Sequence, residues 1–172
     1  MTLLDATMKT VETALRLTSP LVALAGRDNG VRVWSSEWLG LVCSSRPLLT
    51  ISLGSRTTAG IDPGALELFG VSLPPAALLV PSWLPALLAG AGKEVLAEAG
   101  LSIALGTAAG APLVSGCALH FECRNGTVAI YPGTVLISAE VAAIHRPEGT
   151  LGPENWPDLA RLQPLRGVSP RA

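Results

Sequence analysis

Between Glu67 and Lys93 the chain runs for 25 residues without a charged side chain. A stretch that long, wound as one helix, would cross a bilayer. Its prolines argue against that. Pro74, Pro75, Pro81 and Pro85 interrupt the run, and Gly70, Ser72, Ser82 and Gly90 dilute it. Each proline lacks a backbone donor and clashes with the preceding turn, so an isolated spanning helix accommodates four of them poorly. The run therefore reads as several short elements buried in a folded core, and no membrane partner is expected.

The rest of the chain is punctuated in the same way. Met8 to Thr18 sets Val11, Ala14, Leu15 and Thr18 on one helical face, and Pro20 ends that short helix. Leu21 to Ala25 is an apolar run bounded by Arg27-Asp28-Asn29-Gly30, the composition of a hairpin turn. Val31 to Trp38 reads as its return strand, Ser44 to Pro47 as a loop and Leu48 to Leu53 as a buried strand. Asp62 and Pro63 are an N-cap and first-turn pair, with Ala65, Leu66, Leu68 and Phe69 as the apolar face of the helix they start. Val71 to Leu73 reads as a brief strand, Pro75 to Leu88 as partly helical, and Lys93 to Ala99 as a helix closed by Gly100. Further strands are expected over 101–105, 119–123, 128–131 and 135–144. Pro132 and Gly133 occupy the positions that a type II turn favours. Short strands with a helical insert, in a chain of one domain's length, predict a mostly β fold: a small barrel with a helical excursion. The proline-rich residues 151–172 read as an irregular tail.

Charge narrows the partners. The net charge is −1 and only 15% of residues are charged, which gives nucleic acid nothing to bind. A surface so poor in charge is expected to be covered in part, most simply by a second copy of the chain. Cys43, Cys117 and Cys123 are odd in number and form no CxxC pair, which argues against a disulfide framework or a zinc site and fits a reducing cytoplasm. Asp5, Lys9 and Glu12 precede any long apolar run, so the N-terminus does not read as a secretory signal.

Few local motifs carry chemistry. Gly90-Ala91-Gly92-Lys93 falls short of a phosphate loop, because Leu87 stands where a first glycine belongs and Glu94 where a magnesium-binding hydroxyl belongs. There is no HExxH, GxSxG or paired-carboxylate signature. His120 and His145 lie 25 residues apart without Asp or Cys at ligand spacing. His120 is expected to face solvent or an interface, and His145 to be an interface residue.

The informative stretch is Trp38, Gly40, Val42-Cys43-Ser44, Pro47 and Ile51-Ser52. It resembles the flavin reductase-like family, and within it the flavoredoxin-type members. Further segments match in order: Phe69 to Pro74, Ala97 to Leu101, Ala111-Pro112-Leu113, Cys117, Phe121-Glu122-Cys123, and Glu140-Val141 with His145. The resemblance covers roughly 18–166. Its ungapped register from Glu122 to His145 makes Asn125-Gly126 a bulge within a strand and leaves the turn at Pro132-Gly133.

The resemblance implies an FMN-binding split β-barrel with a helical excursion, one flavin reductase-like domain over 1–172 with its barrel core at 18–150. It implies non-covalent FMN at the interface of a homodimer. The flavin ring is flat and apolar with a polar edge, so it needs backbone donors and acceptors and an apolar wall. Ser35, Ser36 and Glu37 stand at flavin-contacting positions, Trp38 supplies a wall, and Val42, Cys43 and Ser44 supply backbone groups. Ser55, Arg56, Thr57 and Thr58 supply the hydroxyls and cation a phosphate needs. The chain departs from the pattern at Gly54, where relatives carry a further Arg. Glu37 also brings a carboxylate near electron-rich groups. The implied activity is NAD(P)H:flavin reduction, with NADH or NADPH as donor, or flavoredoxin-like electron transfer to a redox partner protein. The alternative is a flavin-binding or degenerate non-catalytic module of the same fold.

Overall fold

Nine strands, one 3-10 turn and one α-helix make up the described part of the computed structural model, residues 20–25, 30–36, 38–42, 46–54, 61, 63–75, 87, 90–98 and 100–146. The strands are β1 (Leu21–Ala25), β2 (Val31–Ser35), β3 (Trp38–Val42), β4 (Leu48–Gly54), β5 (Leu68–Leu73), β6 (Ile103–Leu105), β7 (Pro112–Val114), β8 (Leu119–Tyr131) and β9 (Thr134–His145). The 3-10 turn is Pro63–Leu66 and the helix, α1, is Lys93–Glu98. Seven strands form one antiparallel sheet in the order β2-β1-β5-β8-β9-β4-β3, while β6 and β7 form a separate ribbon. The large sheet curls into a half barrel, the split-barrel architecture.

Side-chain alternation explains where the core lies. Leu39, Leu49, Ile51, Leu53, Val135, Ile137 and Ala139 all point to the concave side and are buried there with Phe69, Val71 and Phe121. A second cluster joins Leu21, Ala23, Val33 and Val114 to Leu96 of α1 on the opposite face of β1. Strand β1 is thus buried on both faces, which is why it reads as a continuous apolar run instead of an alternating one. The β6–β7 ribbon sits so close over β5 that a Cβ added at Gly70 would lie 1.8 Å from the Pro112 carbonyl oxygen. Val114 N–H donates to Ser72 Oγ at 3.1 Å and Ala118 N–H to the Leu73 carbonyl at 2.8 Å, which ties the ribbon down.

Several local expectations change. The return strand ends at Ser35, and Trp38 opens a new strand. Residues 63–66 make only one 3-10 turn; Leu68 and Phe69 belong to β5. The expected strand over 101–105 begins at Ile103, and β7 was not anticipated. Residues 119–123 and 128–131 are one strand, continuous through a register shift between Arg124 and Thr127, with Asn125 at φ 54°. That is the bulge required by the ungapped resemblance. The turn falls at Pro132-Gly133, where Gly133 takes the φ of 85° that the third position of a type II turn needs. Helix α1 ends as expected: Gly100 N–H reaches the Ala97 carbonyl and Leu101 N–H the Leu96 carbonyl, a Schellman closure. The expected helix over 8–18, the turn residues 27–29, the Asp62 cap, 76–86 and the tail over 151–172 lie outside the described residues. Leu87 is helical. No helix among the described residues is long and apolar enough to cross a membrane.

Candidate functional site

The junction of β2 and β3 is built around one serine. Ser36 is buried, and its N–H donates to the Pro20 carbonyl at 2.8 Å. Its hydroxyl lies 2.7 Å from the carbonyls of both Ser52 and Trp38, and it accepts the Trp38 N–H at 3.3 Å. The chain therefore turns at Ser36 because one side chain replaces the ladder bonds that a break in the strand removes. Ser35 is buried as well, paired with Leu21.

Trp38 emerges on the convex face, since Leu39 next to it points into the core. Its indole lies across Gly40: a Cβ there would sit 2.6 Å from Trp38 Cη2. Gly40→Ala should push the ring off the sheet, lowering stability by about 1–2 kcal/mol. A shift in tryptophan emission together with a lower thermal midpoint would show this; an unchanged spectrum would refute the stacking. Around Trp38 the convex face carries Ser52 opposite it, and Thr50 hydrogen-bonded to Ser138 at 2.9 Å. The sequence reading did not select Thr50 or Ser138, although strand alternation from Ile51 places Thr50 there.

Among the sequence-selected residues, the structure describes Ser35, Ser36, Trp38 and Val42. Glu37, Cys43, Ser44, Ser55, Arg56, Thr57 and Thr58 lie outside the described residues. The strands nevertheless show where those segments are attached. Trp38 pairs with Ser52, near the Gly54 end of β4 from which residues 55–58 depart. Val42 pairs with Leu48 at the other end, where residues 43–45 depart. Gly54 lies six residues along β4 from Leu48, the partner of Val42, so the two attachment points are separated by about 20 Å at ~3.3 Å per residue. The β3–β4 pair thus carries an aromatic side chain, Trp38, near the end from which residues 55–58 continue.

A second polar cluster lies where β8 and β9 meet. His120 stands opposite His145. His120 does not simply face solvent: its Nδ1 lies 3.0 Å from Ser72 Oγ. Burial lowers its pKa, the neighbouring His145 lowers it further, and a hydrogen bond to the Cys117 backbone opposes both. His145 Nε2 bonds to the carboxylate of Glu122, which is fully buried. Glu122 also accepts the N–H groups of Ala108, Ala109 and Ala111 at 3.0, 2.8 and 3.1 Å. Burial alone would raise the Glu122 pKa; these four bonds outweigh it and hold the carboxyl at about 2. Glu122 therefore stays ionised and clamps the 106–111 loop. Burial pushes Cys117 and Cys123 up to about 12, with the Glu122 charge adding at Cys123, so both are neutral thiols that do not act as nucleophiles. No group of three or more metal-ligating side chains occurs among the described residues.

The histidine pairing was within reach of the sequence. His120 and His145 are equidistant from the Pro132-Gly133 turn. The residue added to β8 near Asn125 is offset by Ala142, added to β9 opposite the Glu122–Cys123 step, so the simple hairpin count holds.

No family model and no curated protein sequence matches the chain. Solved structures do. Flavoredoxin of Desulfovibrio vulgaris (Miyazaki F) is 20% identical with a TM-score of 0.67, covering 86% of this chain and 79% of its own. The FMN-binding protein from Thermus thermophilus is 20% identical with a TM-score of 0.62, covering 81% and 76%. A protein from Shewanella frigidimarina described as a flavin reductase with a split barrel domain reaches a TM-score of 0.69 at 12% identity, covering 98% and 87%. With its ordered motifs and its half-barrel sheet, the chain therefore has the split-barrel fold of flavin reductase-like, flavoredoxin-type proteins.

Proposed function

We propose that the chain binds FMN non-covalently along the convex face of β3 and β4 and serves as an oxidoreductase-type protein. It would act as an NAD(P)H:flavin reductase or as a flavoredoxin-like electron carrier. The observation that carries this reading is Trp38: a half-buried indole held on Gly40, on the β3–β4 pair, from whose opposite ends residues 43–45 and 55–58 continue. Among the described residues the fit is partial. Trp38 can wall the ring, and the edge at Val42 continues into 43–45, whose backbone groups would meet its polar rim. Arg56 with Ser55, Thr57 and Thr58 would hold the phosphate. Bound flavin supplies a two-electron acceptor for hydride, and the protein's part is to bind and orient it. We place the protein in the cytoplasm as a homodimer that takes electrons from NADH, NADPH or a redox partner protein.

Ser36 favours a second reading, a flavin-binding or degenerate non-catalytic module. Its hydroxyl is committed to backbone carbonyls, so one of the polar groups selected for the flavin serves the fold. Titration with FMN separates these outcomes. Quenching of flavin fluorescence with retention of colour after desalting supports binding, and anaerobic bleaching by NADH or NADPH then supports reductase activity. A protein that neither quenches nor retains FMN overturns the oxidoreductase reading and leaves the degenerate module. Arg56→Ala should weaken FMN by about 1.5–3 kcal/mol through loss of a charge-assisted bond; unchanged affinity would remove Arg56 from the site.

A further inference from the structure

Ser72 lies at the centre of a hydrogen-bonded unit that joins three strands. Its side chain is fully buried on β5. Its oxygen accepts the Val114 N–H of β7 at 3.1 Å and lies 3.0 Å from His120 Nδ1 of β8. A serine hydroxyl also has one hydrogen to donate. Val114 contributes a donor, so that hydrogen goes to Nδ1, the acceptor that faces it among the described residues. His120 is then neutral, with Nδ1 bare and its ring hydrogen on Nε2. A proton added to Nδ1 makes that nitrogen a donor. Two donors then aim at Ser72 Oγ, and the buried hydroxyl hydrogen loses its acceptor.

We propose that His120, Ser72 and Val114 form a pH-sensitive strap: neutral His120 holds the Val114 end of the β6–β7 ribbon on β5, and a proton on His120 loosens it. The strap goes beyond the flavin reading and does not depend on it. The surroundings favour the neutral ring. Strands β1, β5, β6 and β7 carry no titratable side chain. On β9, His145 stands directly opposite, so any charge there opposes one on His120. Glu122 of β8 is already bonded to three loop N–H groups and to His145. Before β8, Cys117 offers a backbone group that favours the charged ring and a thiol that stays neutral. Arg146, and Lys93, Glu94 and Glu98 of α1, are exposed to solvent. Burial and His145 prevail, so the His120 pKa lies below its usual 6.5. The strap is therefore intact above pH 6.5 and weakens as pH falls from there. The other hold on the ribbon does not follow. Nε2–H of His145 donates to Glu122 whether or not its second nitrogen carries a proton, and Glu122 stays ionised down to about 2. Mild acid thus frees the Val114 end while the 106–111 loop stays clamped, and the ribbon becomes a hinged flap over β5.

Long-range nitrogen–proton NMR of the histidine rings, on the unmodified full chain, tests the first half. At about pH 7.5 His120 should be neutral with its hydrogen on Nε2; a ring that carries it on Nδ1 overturns the strap. Amide hydrogen exchange, corrected for its intrinsic pH dependence, tests the second half. Between about pH 7.5 and about pH 5, the protection of Val114 should fall about fivefold or more, while Ala111, bonded to Glu122, keeps its own. Unchanged protection at Val114, or an equal loss at Ala111, overturns the proposal. His120→Asn sets an amide oxygen where Nδ1 stood, which accepts from Ser72 and does not titrate. In that variant the pH response of Val114 should vanish. A response that persists there assigns the effect to another group and overturns the role of His120.

Discussion

Glu122→Ala should destabilise the fold by about 3 kcal/mol, because a buried, charged acceptor of several hydrogen bonds is removed. The loss has two parts. Three loop N–H groups, from Ala108, Ala109 and Ala111, lose their acceptor, and His145 loses the group that orients it. Chemical denaturation at neutral pH would measure the change. A drop under about 1 kcal/mol would place the carboxylate among groups of ordinary net worth. The pH dependence gives an independent check. Because the folded carboxyl titrates at about 2 against a usual 4.5, its contribution is present above pH 4.5. It is lost as pH falls from there towards 2. The gap corresponds to something on the order of 3 kcal/mol. Glu122→Gln should therefore flatten the stability profile across that window relative to wild type; parallel profiles would mean that other groups govern acid unfolding.

Gly70→Ala should be similarly damaging, about 3 kcal/mol or more. The added methyl would meet the Pro112 carbonyl oxygen 1.8 Å away, and that oxygen belongs to a backbone that cannot swing aside. Either β7 lifts off β5 or β5 is displaced from the sheet. The bond from Val114 N–H to Ser72 Oγ should be among the first lost. Faster hydrogen exchange at Val114 with a lower denaturation midpoint is the expected signature. The contrast with Gly40→Ala is instructive: there the obstacle is the far end of the Trp38 side chain, which can rotate away, so the smaller cost is expected. A Gly70→Ala protein as stable as wild type would show that the ribbon can move.

Local patterns recovered the strand elements well where neighbouring residues alone set the conformation. The apolar runs at 21–25 and 48–53, the proline-glycine turn at 132–133 and the glycine closure of α1 are all local, and all appear as read. Misreadings arose where distant partners intervene. Leu68 and Phe69 suit a helical face, yet pairing with Arg124 and Cys123 draws them into β5. Val31 to Trp38 alternates well enough for one strand, yet the Ser36 hydroxyl ends it through a bond to Ser52, sixteen residues away.

The positions proposed to face flavin show the same division. By itself the sequence determined that the chain is a mostly β domain with a charge-poor surface. Its ordered motifs pointed to the split barrel, because residue spacing and turn chemistry are short-range properties written along the chain. Only the tertiary structure decided that Trp38 faces outward across Gly40 while Ser36 turns inward. Only it joined Glu122 to His145. Those outcomes depend on which strands become neighbours and in what register. A one-residue shift exchanges the buried and exposed faces of a strand, and no local preference encodes the choice.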